Sequence, residues 1–393
     1  MKSDNYNIKP AERLQSTGEY YFSRKLREIA SLRSQGHDII SLGIGGPDRP
    51  PHDSVIDTLC QEAHKATVHG YQNSGSIPEL RQAFCNWYAR HYDVTINPDN
   101  EILPLIGSKE GVLHISLAFL NPGDGVLIPN PGYPTYSSVS NLIGAKIFTY
   151  PLTEDNGWYP DFEALEQLPL EHIKLMWLNY TQMPTGAPAT RELFERAVAF
   201  GKKHGIVIAH DNPYSFILND SPMSIMQIPG AKEIALELNS LSKSHNMAGW
   251  RMAMVTSNQQ FISWILQVKS NIDSGQFRPA MLAAVKALEL PDSWYSELNQ
   301  VYSERRKIAE QIMTALGCKY SLTQKGLFLW GKVPEIYPDG TSLADRLLYE
   351  ADIFVTPGFI FGTQGKQYIR ISLCADTSKL NAALNRIINL NIK

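Results

Sequence analysis

The sequence lacks the features that would tie it to nucleic acid, a metal or a membrane. Its 393 residues include four cysteines and no CxxC pair, so we predict neither a zinc site nor a disulfide framework. The net charge is −3 with both signs mixed, which leaves no basic surface for nucleic acid or anionic lipid. The N-terminus shows no apolar signal segment, and no run approaches about 18 apolar residues. We therefore predict a cytoplasmic protein with a small-molecule partner and no metal.

The middle of the chain has the pattern of an α/β domain. Between residues 100 and 260, short apolar runs alternate with amphipathic segments, as in a mostly parallel sheet covered by helices on both faces. A hydrophobic content of 43% allows a sizeable core and two domains. The predicted strands of this seven-stranded sheet are Ile102–Ile106, Val126–Ile128, Lys146–Tyr150, Leu175–Asn179, Ile206–His210, Ile234–Leu238 and Met252–Thr256.

The last hundred residues predict a smaller α+β domain. A long charged helix runs from Pro291 to Leu316, with apolar positions recurring every three or four residues. Later elements are a strand at Leu327–Trp330, a helix near Ser342–Glu350, a strand near Tyr368–Ser372 and a closing helix from Thr377. We predict an N-terminal arm with part of the small domain (1–48), a large ligand-binding domain (49–290), and an interdomain helix with the small domain (291–393).

One segment places a lysine among small hydroxyl residues, with an arginine eight positions later: Ser240-Leu-Ser-Lys243-Ser-His-Asn-Met-Ala-Gly-Trp-Arg251. A lysine amine can form an imine with a carbonyl cofactor, serines can hydrogen-bond a phosphate, and an arginine can neutralise it. These are the three requirements of pyridoxal 5′-phosphate. Taken alone, the segment fits a polar loop with two scattered cations equally well.

Three further motifs follow apolar strands, where an open α/β sheet places its ligands. Asp211 ends one strand and can keep a pyridine nitrogen protonated, and Tyr214 can hydrogen-bond the cofactor phenolate. Ser108 and Lys109 open a helix whose free amides can bind an anion. Tyr133 lies in a tight turn and can stack on a flat heterocycle. Each motif by itself also fits an ordinary turn or loop.

Two more positions suit a substrate carboxylate. Arg370 stands in the middle of an apolar strand, where a charge is costly unless it is paired. A bidentate grip on a carboxylate and a structural salt bridge explain this arginine equally well. Gly45, within Leu42-Gly-Ile-Gly45-Gly-Pro-Asp48, allows the backbone to approach a ligand closely.

Together these motifs resemble the class I and II aminotransferases, a fold-type I family that depends on pyridoxal 5′-phosphate. The resemblance covers nearly the whole chain. Beyond the segments already quoted, it includes Tyr71-Gln-Asn-Ser-Gly75, Pro131-Gly-Tyr133-Pro, Pro184-Thr-Gly186 and Arg370-Ile-Ser372. The resemblance implies an α/β fold with a seven-stranded sheet and a smaller α+β domain.

The resemblance also implies roles in holding the cofactor. Lys243 would carry the imine, Asp211 and Tyr214 would contact the ring nitrogen and the phenolate oxygen, and Tyr133 would stack on the ring. The implied phosphate ligands are Ser108, Lys109 through its amide, Ser240, Arg251, and Tyr71 from a neighbouring subunit.

The implied substrate contacts are Arg370, the Gly45 amide and Asn179. Because members of the family usually have active sites at a subunit interface, the resemblance further implies a homodimer.

One position departs from the family. Where its members commonly read Asn-Pro-Thr-Gly, this chain has Met183-Pro-Thr-Gly, so the asparagine that usually contacts the phenolate oxygen is missing. A thioether is a weak acceptor and cannot donate that bond. Asn179 or Gln182 can substitute for it, or Tyr214 can act alone.

The resemblance predicts an enzyme that moves an amino group from an L-amino acid to a 2-oxo acid by ping-pong chemistry through Lys243. A neutral or aromatic donor with 2-oxoglutarate as acceptor is the first expectation. A dibasic donor stays open, because parts of the chain look like the LL-diaminopimelate aminotransferase subgroup. The alternatives are a C–S β-lyase, or other chemistry at the α-carbon on the same fold, and more remotely a non-enzymatic regulator that senses an amino acid.

Overall fold

The fold was obtained as a computed structural model, which describes residues 8–15 and 18–390. Most of the predicted N-terminal arm is described, whereas residues 1–7 and 16–17 lie outside this part. The strands are β1 (Ile40–Ser41), β2 (Ile102–Leu105), β3 (Gly125–Asn130), β4 (Lys146–Pro151), β5 (Ile173–Asn179), β6 (Val207–Asp211), β7 (Ala235–Ser240), β8 (Ala253–Thr256), β9 (Phe328–Lys332), β10 (Ile353–Phe354), β11 (Thr356–Pro357) and β12 (Tyr368–Ser372).

Helices separate most of these strands. They are α1 (Tyr21–Ser34), α2 (Asp53–Ala63), α3 (Pro78–Tyr92), α4 (Ser108–Phe119), α5 (Pro134–Ile143), α6 (Phe162–Leu165), α7 (Arg191–His204), α8 (Leu241–Ser244), α9 (Gln259–Ser270), α10 (Arg278–Leu288), α11 (Ser293–Ala315), α12 (Gly340–Ala351) and α13 (Thr377–Asn389). Within the described part of the chain, no helix has the length and apolar content needed to cross a bilayer.

The large sheet has the order β2-β8-β7-β6-β5-β3-β4. Strand β8 runs antiparallel to both of its neighbours, and the other pairings are parallel. Alternate side chains of β5 enter different cores: Leu175 and Trp177 pack on one face, and Met176 and Leu178 on the other. Because a strand buried on both faces needs cover on both sides, helices flank the sheet. The α/β fold with seven strands is confirmed.

The seven predicted strands all occur, with ends shifted by no more than two residues. The shift that matters for the site is in β6, which ends at Asp211 instead of His210. Similarly, β7 extends to Ser240, the residue immediately before α8. Both polar residues are therefore fixed by sheet hydrogen bonds instead of lying in loops.

A smaller sheet follows the long helix α11, which corresponds to the predicted helix from 291 to 316. Strand β12 pairs antiparallel with β9 and β11, and the short β1 pairs parallel with β10. Residues 40–41 are thus attached to the C-terminal part of the chain. We keep the division into residues 1–48, 49–290 and 291–393 as a proposal, which this pairing supports.

An ion pair between the buried Arg305 and the more exposed Asp48 joins α11 to the segment that follows β1. The Arg305 guanidinium donates to both carboxylate oxygens of Asp48, at 2.7 and 2.8 Å, and also to the Leu373 carbonyl at 3.1 Å. Arg305 is 4% exposed, so its charge is largely out of water. The pair fixes the loop that carries Gly45 against the small sheet.

Replacing Asp48 by asparagine is expected to destabilise the fold, because it leaves the buried Arg305 charge without a counterion. We expect Asp48→Asn to lower the free energy of unfolding by about 1–3 kcal/mol. The matched control is Glu195→Gln, since Glu195 is half-exposed and faces Arg191 at 3.6 Å. That exposed pair should contribute less than about 0.5 kcal/mol. Urea unfolding of both variants tests this, and equal losses would contradict it.

Candidate active site

A cavity of about 390 Å³ opens where the large sheet meets the small sheet. It is bordered by the ends of β6 and β7, the start of α4, and β9 and β12 of the small sheet. Of the twelve predicted site residues, eleven line this cavity: Gly45, Ser108, Lys109, Tyr133, Asn179, Asp211, Tyr214, Ser240, Lys243, Arg251 and Arg370. The twelfth, Tyr71, does not line it, and is 96% exposed.

The start of α4 forms a cradle for an anion. Gly107 precedes the helix with a φ of 83°, a conformation that favours glycine. A Cβ at this position would lie 1.9 Å from Nη2 of Arg251, so only a glycine lets this guanidinium approach the helix start. The free amides of the first helical turn point the same way. The buried Ser108 Oγ, which has no partner within the described chain, adds a further polar atom.

The short helix α8 carries Lys243 and is capped by Ser240. The Ser240 hydroxyl accepts from the Ser242 amide at 3.1 Å and lies 2.8 Å from the Ser242 hydroxyl. Ser242 also lines the cavity, and sequence reasoning missed it as a site residue. Because Ser242 directly precedes Lys243 in the sequence, its position could have indicated that it lies at the site.

Lys243 projects into the cavity with its ammonium toward the glycine loop. Its Nζ donates to the Gly45 carbonyl at 2.6 Å. Burial lowers the pKa of Lys243 below its usual value, and the positive charges of Arg370 and Arg251 act in the same direction. A lysine with a lowered pKa is more often neutral at physiological pH, so its lone pair is more often free to attack a carbonyl or to accept a proton.

Asp211 is held at the end of β6 with half of its carboxylate unused. The Tyr136 hydroxyl donates to Oδ2 at 2.7 Å, whereas Oδ1 is buried without a hydrogen-bond partner in the described residues. Burial raises the pKa of Asp211 to about 6, although the Tyr136 bond acts in the opposite direction. Sequence reasoning missed Tyr136, which lies one helical turn after Tyr133.

Tyr133 and Tyr214 are two of the aromatic side chains that line the cavity. Tyr133 meets Tyr136 edge-on with ring centroids 5.5 Å apart, and Tyr214 meets Phe328 edge-on at 5.7 Å. Burial raises the pKa of both phenols, most strongly for Tyr214. Both hydroxyls therefore keep their protons at neutral pH and can act as hydrogen-bond donors.

The residues around Met183 show which of them can take the place of the missing asparagine. Gln182 does not line the cavity, and its amide contacts the Pro131 carbonyl and Thr185 instead. Asn179 does line it, although its amide nitrogen donates to the Asp211 carbonyl at 2.7 Å. Asn179 and Tyr214 therefore line the cavity together with Met183, which stands where the family has its asparagine. Gln182 does not.

Arg370 is 4% exposed and lacks a carboxylate partner among the residues that the structure describes. Its Nη2 donates to the Gly43 carbonyl at 2.9 Å, its Nη1 contacts the Met183 sulfur at 3.2 Å, and its Nε is unpaired. The guanidinium lies 3.9 Å from the centre of the Phe328 ring. Burial lowers the pKa of Arg370 to about 10, so it remains charged at neutral pH. Of the two explanations from sequence, the structural salt bridge is therefore disfavoured.

Away from this cavity, Glu110, His114 and Asp273 bring potential metal-ligating atoms within 4.8 Å of one another. The ammonium of Lys269 already contacts this group, 2.5 Å from Asp273 and 3.5 Å from Glu110. A buried lysine in that place balances the carboxylates without a metal.

A partly buried lysine, a carboxylate at a strand end and an anion cradle on a mostly parallel seven-stranded sheet are typical of fold-type I pyridoxal-phosphate-dependent enzymes. Residues 37–387 match the model of one family with this fold, described as aminotransferase class I and II. The chain belongs to this family, and it is an aminotransferase.

Similar proteins cover the chain almost completely. The LL-diaminopimelate aminotransferase of Dehalococcoides mccartyi is 38% identical over 97% of this chain and 99% of its own length. That of Aquifex aeolicus is also 38% identical, with the same coverage. Among solved structures, apo-BacF from Bacillus subtilis has a TM-score of 0.94 at 35% identity, covering 98% of this chain and 99% of that one. An aminotransferase from Staphylococcus aureus has a TM-score of 0.88 at 29% identity, covering 97% and 99%.

Pyridoxal phosphate is the cofactor, as expected from sequence. The polar atoms of the cavity fit this molecule. Two buried oxygens that lack partners in the described chain, Asp211 Oδ1 and Ser108 Oγ, lie in the same cavity as the Lys243 amine. A protonated ring nitrogen, a phosphate and an aldehyde are the groups that such a set can accommodate.

Removing the Tyr136 hydroxyl is expected to weaken cofactor binding in a pH-dependent way. Its hydrogen bond lowers the pKa of Asp211, so Tyr136→Phe should raise that pKa further above about 6. A carboxyl with a higher pKa loses its charge at a higher pH as the solution is acidified. We therefore expect the pH midpoint for loss of cofactor affinity to rise by about 0.5–1 unit.

The measurement is the dissociation constant of pyridoxal phosphate between about pH 5 and 8. The control is Tyr150→Phe, because Tyr150 is an equally buried tyrosine whose hydroxyl donates to the Trp177 carbonyl at 2.6 Å, away from the cavity. An unchanged midpoint in Tyr136→Phe, or an equal shift in the control, would count against this role of Tyr136.

Proposed function

We propose that the chain moves an amino group from an L-amino acid to a 2-oxo acid in two half-reactions, with Lys243 as the reacting amine. The observation that carries this proposal is that Lys243, Asp211 and Arg370 line a single cavity. When bound, pyridoxal phosphate supplies an aldehyde that receives the amino group and a ring that withdraws electrons from the substrate α-carbon. The chain's own residues bind, orient and move protons.

The proposed cofactor contacts are assigned to polar and aromatic groups that line the cavity, including buried oxygens that have no hydrogen-bond partner in the described chain. Asp211 Oδ1 would hold the ring nitrogen, Tyr214 the phenolate oxygen, and Tyr133 the face of the ring. The phosphate would lie at the start of α4, where the backbone amides and Arg251 converge. The proposed phosphate ligands are Ser108, Lys109 through its amide, Ser240 and Arg251.

Arg370 is proposed to hold the substrate α-carboxylate, with the Gly45 amide and Asn179 beside it. The support is that this buried guanidinium contacts a carbonyl and a thioether but no carboxylate in the described part of the chain. A carboxylate would offer Arg370 a bidentate, charge-assisted partner of the kind that it lacks. Binding would therefore fix the orientation of the substrate α-carbon relative to Lys243.

Lys243 is proposed to act as a base once the substrate amine has displaced it. Its lowered pKa keeps a larger fraction of the amine neutral, so the amine can take the α-proton and return it later. The contact with the Gly45 carbonyl shows that Nζ reaches the glycine loop, where the substrate would lie.

We expect Lys243→Ala to abolish turnover, to less than about 1 part in 10⁴ of the wild-type rate. The variant should also lose the visible absorbance that arises when the cofactor bonds to lysine. The control is Lys286→Ala, because Lys286 is an exposed lysine of α10. Retention of both turnover and absorbance in Lys243→Ala would rule out this lysine as the reacting amine.

LL-diaminopimelate is proposed as the amino donor. This finer assignment is supported by relatives that are 37–39% identical over nearly their whole length and are LL-diaminopimelate aminotransferases. A dibasic donor is also one of the expectations from sequence.

A second candidate donor is an aromatic amino acid. It is favoured by the wall of the cavity near Arg370, where the rings of Phe328 and Phe361 lie 3.9 and 4.7 Å from the guanidinium carbon. Tyr20 and Phe22 also line the cavity, so a large apolar side chain would find matching surface.

A donor panel separates these candidates. With 2-oxoglutarate as acceptor and glutamate as the measured product, kcat/KM for LL-diaminopimelate should exceed that for L-phenylalanine by at least about tenfold. The reverse order would replace the first candidate by the second. Release of pyruvate and ammonia from cystathionine without any acceptor would instead favour a C–S β-lyase.

We also propose a homodimer, in which Tyr71 reaches the phosphate site of the neighbouring subunit. The support is that Tyr71 is 96% exposed in the single chain and does not line its own cavity. The cytoplasmic location stays a proposal of the same kind.

A further inference from the structure

A fully buried ion pair lies directly behind the site, on the other face of the large sheet. His210 and Glu237 are both 0% exposed, and they are register partners on β6 and β7. The distance from His210 Nδ1 to Glu237 Oε2 is 2.9 Å. Removing two ionisable groups from water costs free energy, so we expect this pair to have a role in the site.

The hydrogen bonds around Glu237 show that it is ionised. Its carboxylate accepts from the Tyr88 hydroxyl at 2.6 Å, from the Ser224 hydroxyl at 2.9 Å and from the Ile225 amide at 2.9 Å. The Ser224 hydroxyl accepts from the Met226 amide, which leaves its own proton for Glu237. Three donors in addition to His210 stabilise the charged form of a carboxyl group.

The same geometry fixes the charge of His210. Its Nε2 lies 2.8 Å from the Tyr180 carbonyl, which can only accept a hydrogen bond, so Nε2 carries a proton. Its Nδ1 faces the ionised Glu237 and therefore carries a proton as well. His210 is thus an imidazolium, and the positive end of the pair lies on β6, the strand that ends at Asp211.

Asp211 is the next residue along that strand. Because successive side chains of a strand point to opposite faces, His210 lies behind the sheet while Asp211 faces the cavity. Tyr133, Tyr136 and Tyr214 are ionisable groups that interact with Asp211 and carry no charge at neutral pH. Three cationic side chains, Lys243, Arg251 and Arg370, line the same cavity. The ionisable groups that face the pair from α3 are Tyr88 and Tyr92.

We propose that His210, held as an imidazolium by Glu237, is a positioning residue that keeps the Asp211 carboxylate ionised and able to hold the cofactor ring nitrogen. The inference rests on the proposed role of Asp211. Burial raises the pKa of Asp211, and the positive charge of His210 opposes that rise. Without this charge, Asp211 would take up a proton at a pH closer to neutrality and lose its attraction for a pyridinium.

Two variants remove the charge in different ways. His210→Gln removes the ring itself. Glu237→Gln keeps the shape, but it takes away the anion that faces His210 Nδ1. Both variants should raise the pH midpoint for loss of pyridoxal phosphate affinity by about one unit, which corresponds to about tenfold weaker binding below that midpoint.

The matched control is Phe194→Leu. The Phe194 ring packs against His210 with centroids 4.7 Å apart, so this change disturbs packing without altering charge. It should lower the unfolding temperature and leave the pH midpoint unchanged. If Glu237→Gln does not fold, Tyr88→Phe removes one donor to Glu237 and should shift the midpoint in the same direction by a smaller amount.

Asp211→Asn separates the failure of this inference from failure of the proposed function. If Asp211→Asn leaves cofactor affinity unchanged, the proposed role of Asp211 is wrong. If it weakens affinity whereas His210→Gln and Glu237→Gln shift no midpoint, only the positioning role is overturned. In the Asp211→Asn background, Glu237→Gln should have no further effect on affinity, and an additive loss there would also contradict the role.

Discussion

The site depends on charged side chains that are shielded from water but lack a complete set of hydrogen-bond partners within the described chain. Asp211, Lys243 and Arg370 all line the same cavity, and Asp211 Oδ1 and Arg370 Nε are buried without a hydrogen-bond partner in the described chain. Burial alone shifts the pKa of each group toward its neutral form. A cofactor and a substrate carboxylate would offer these groups the partners that they lack.

The two sheets supply these groups from opposite sides. Strands β6 and β7 end at Asp211 and Ser240, which fixes Asp211 and the start of the lysine-bearing helix α8 by sheet hydrogen bonds. Arg370 comes from β12 of the small sheet, and the Asp48–Arg305 pair ties the glycine loop to the same unit. The position of Arg370 relative to Asp211 and Lys243 is thus set by how the small sheet packs against the large one.

The sequence was sufficient to predict the strands, because buried parallel strands are continuous apolar runs, as at Ile206–His210. It also pointed to Lys243, Asp211 and Arg251, whose chemistry is unusual for their local surroundings, and the structure brings these three residues to one cavity. Contacts between side chains of different elements could not be predicted from the sequence. Tyr136 and Asp211 are 75 residues apart, and their hydrogen bond depends on how α5 packs. Whether Arg370 had a structural partner could be decided only from the side chains that surround it in the fold.

The central claim is that the Lys243 amine and the unpaired oxygens Asp211 Oδ1 and Ser108 Oγ are the cofactor contacts. A crystal structure of the protein with pyridoxal phosphate tests this most directly. We expect density joining Lys243 Nζ to the cofactor, the ring nitrogen within hydrogen-bond distance of Asp211 Oδ1, and the phosphate at Ser108 and Arg251. Cofactor bound at another place, or Asp211 Oδ1 still unpaired with the cofactor in the cavity, would contradict the claim.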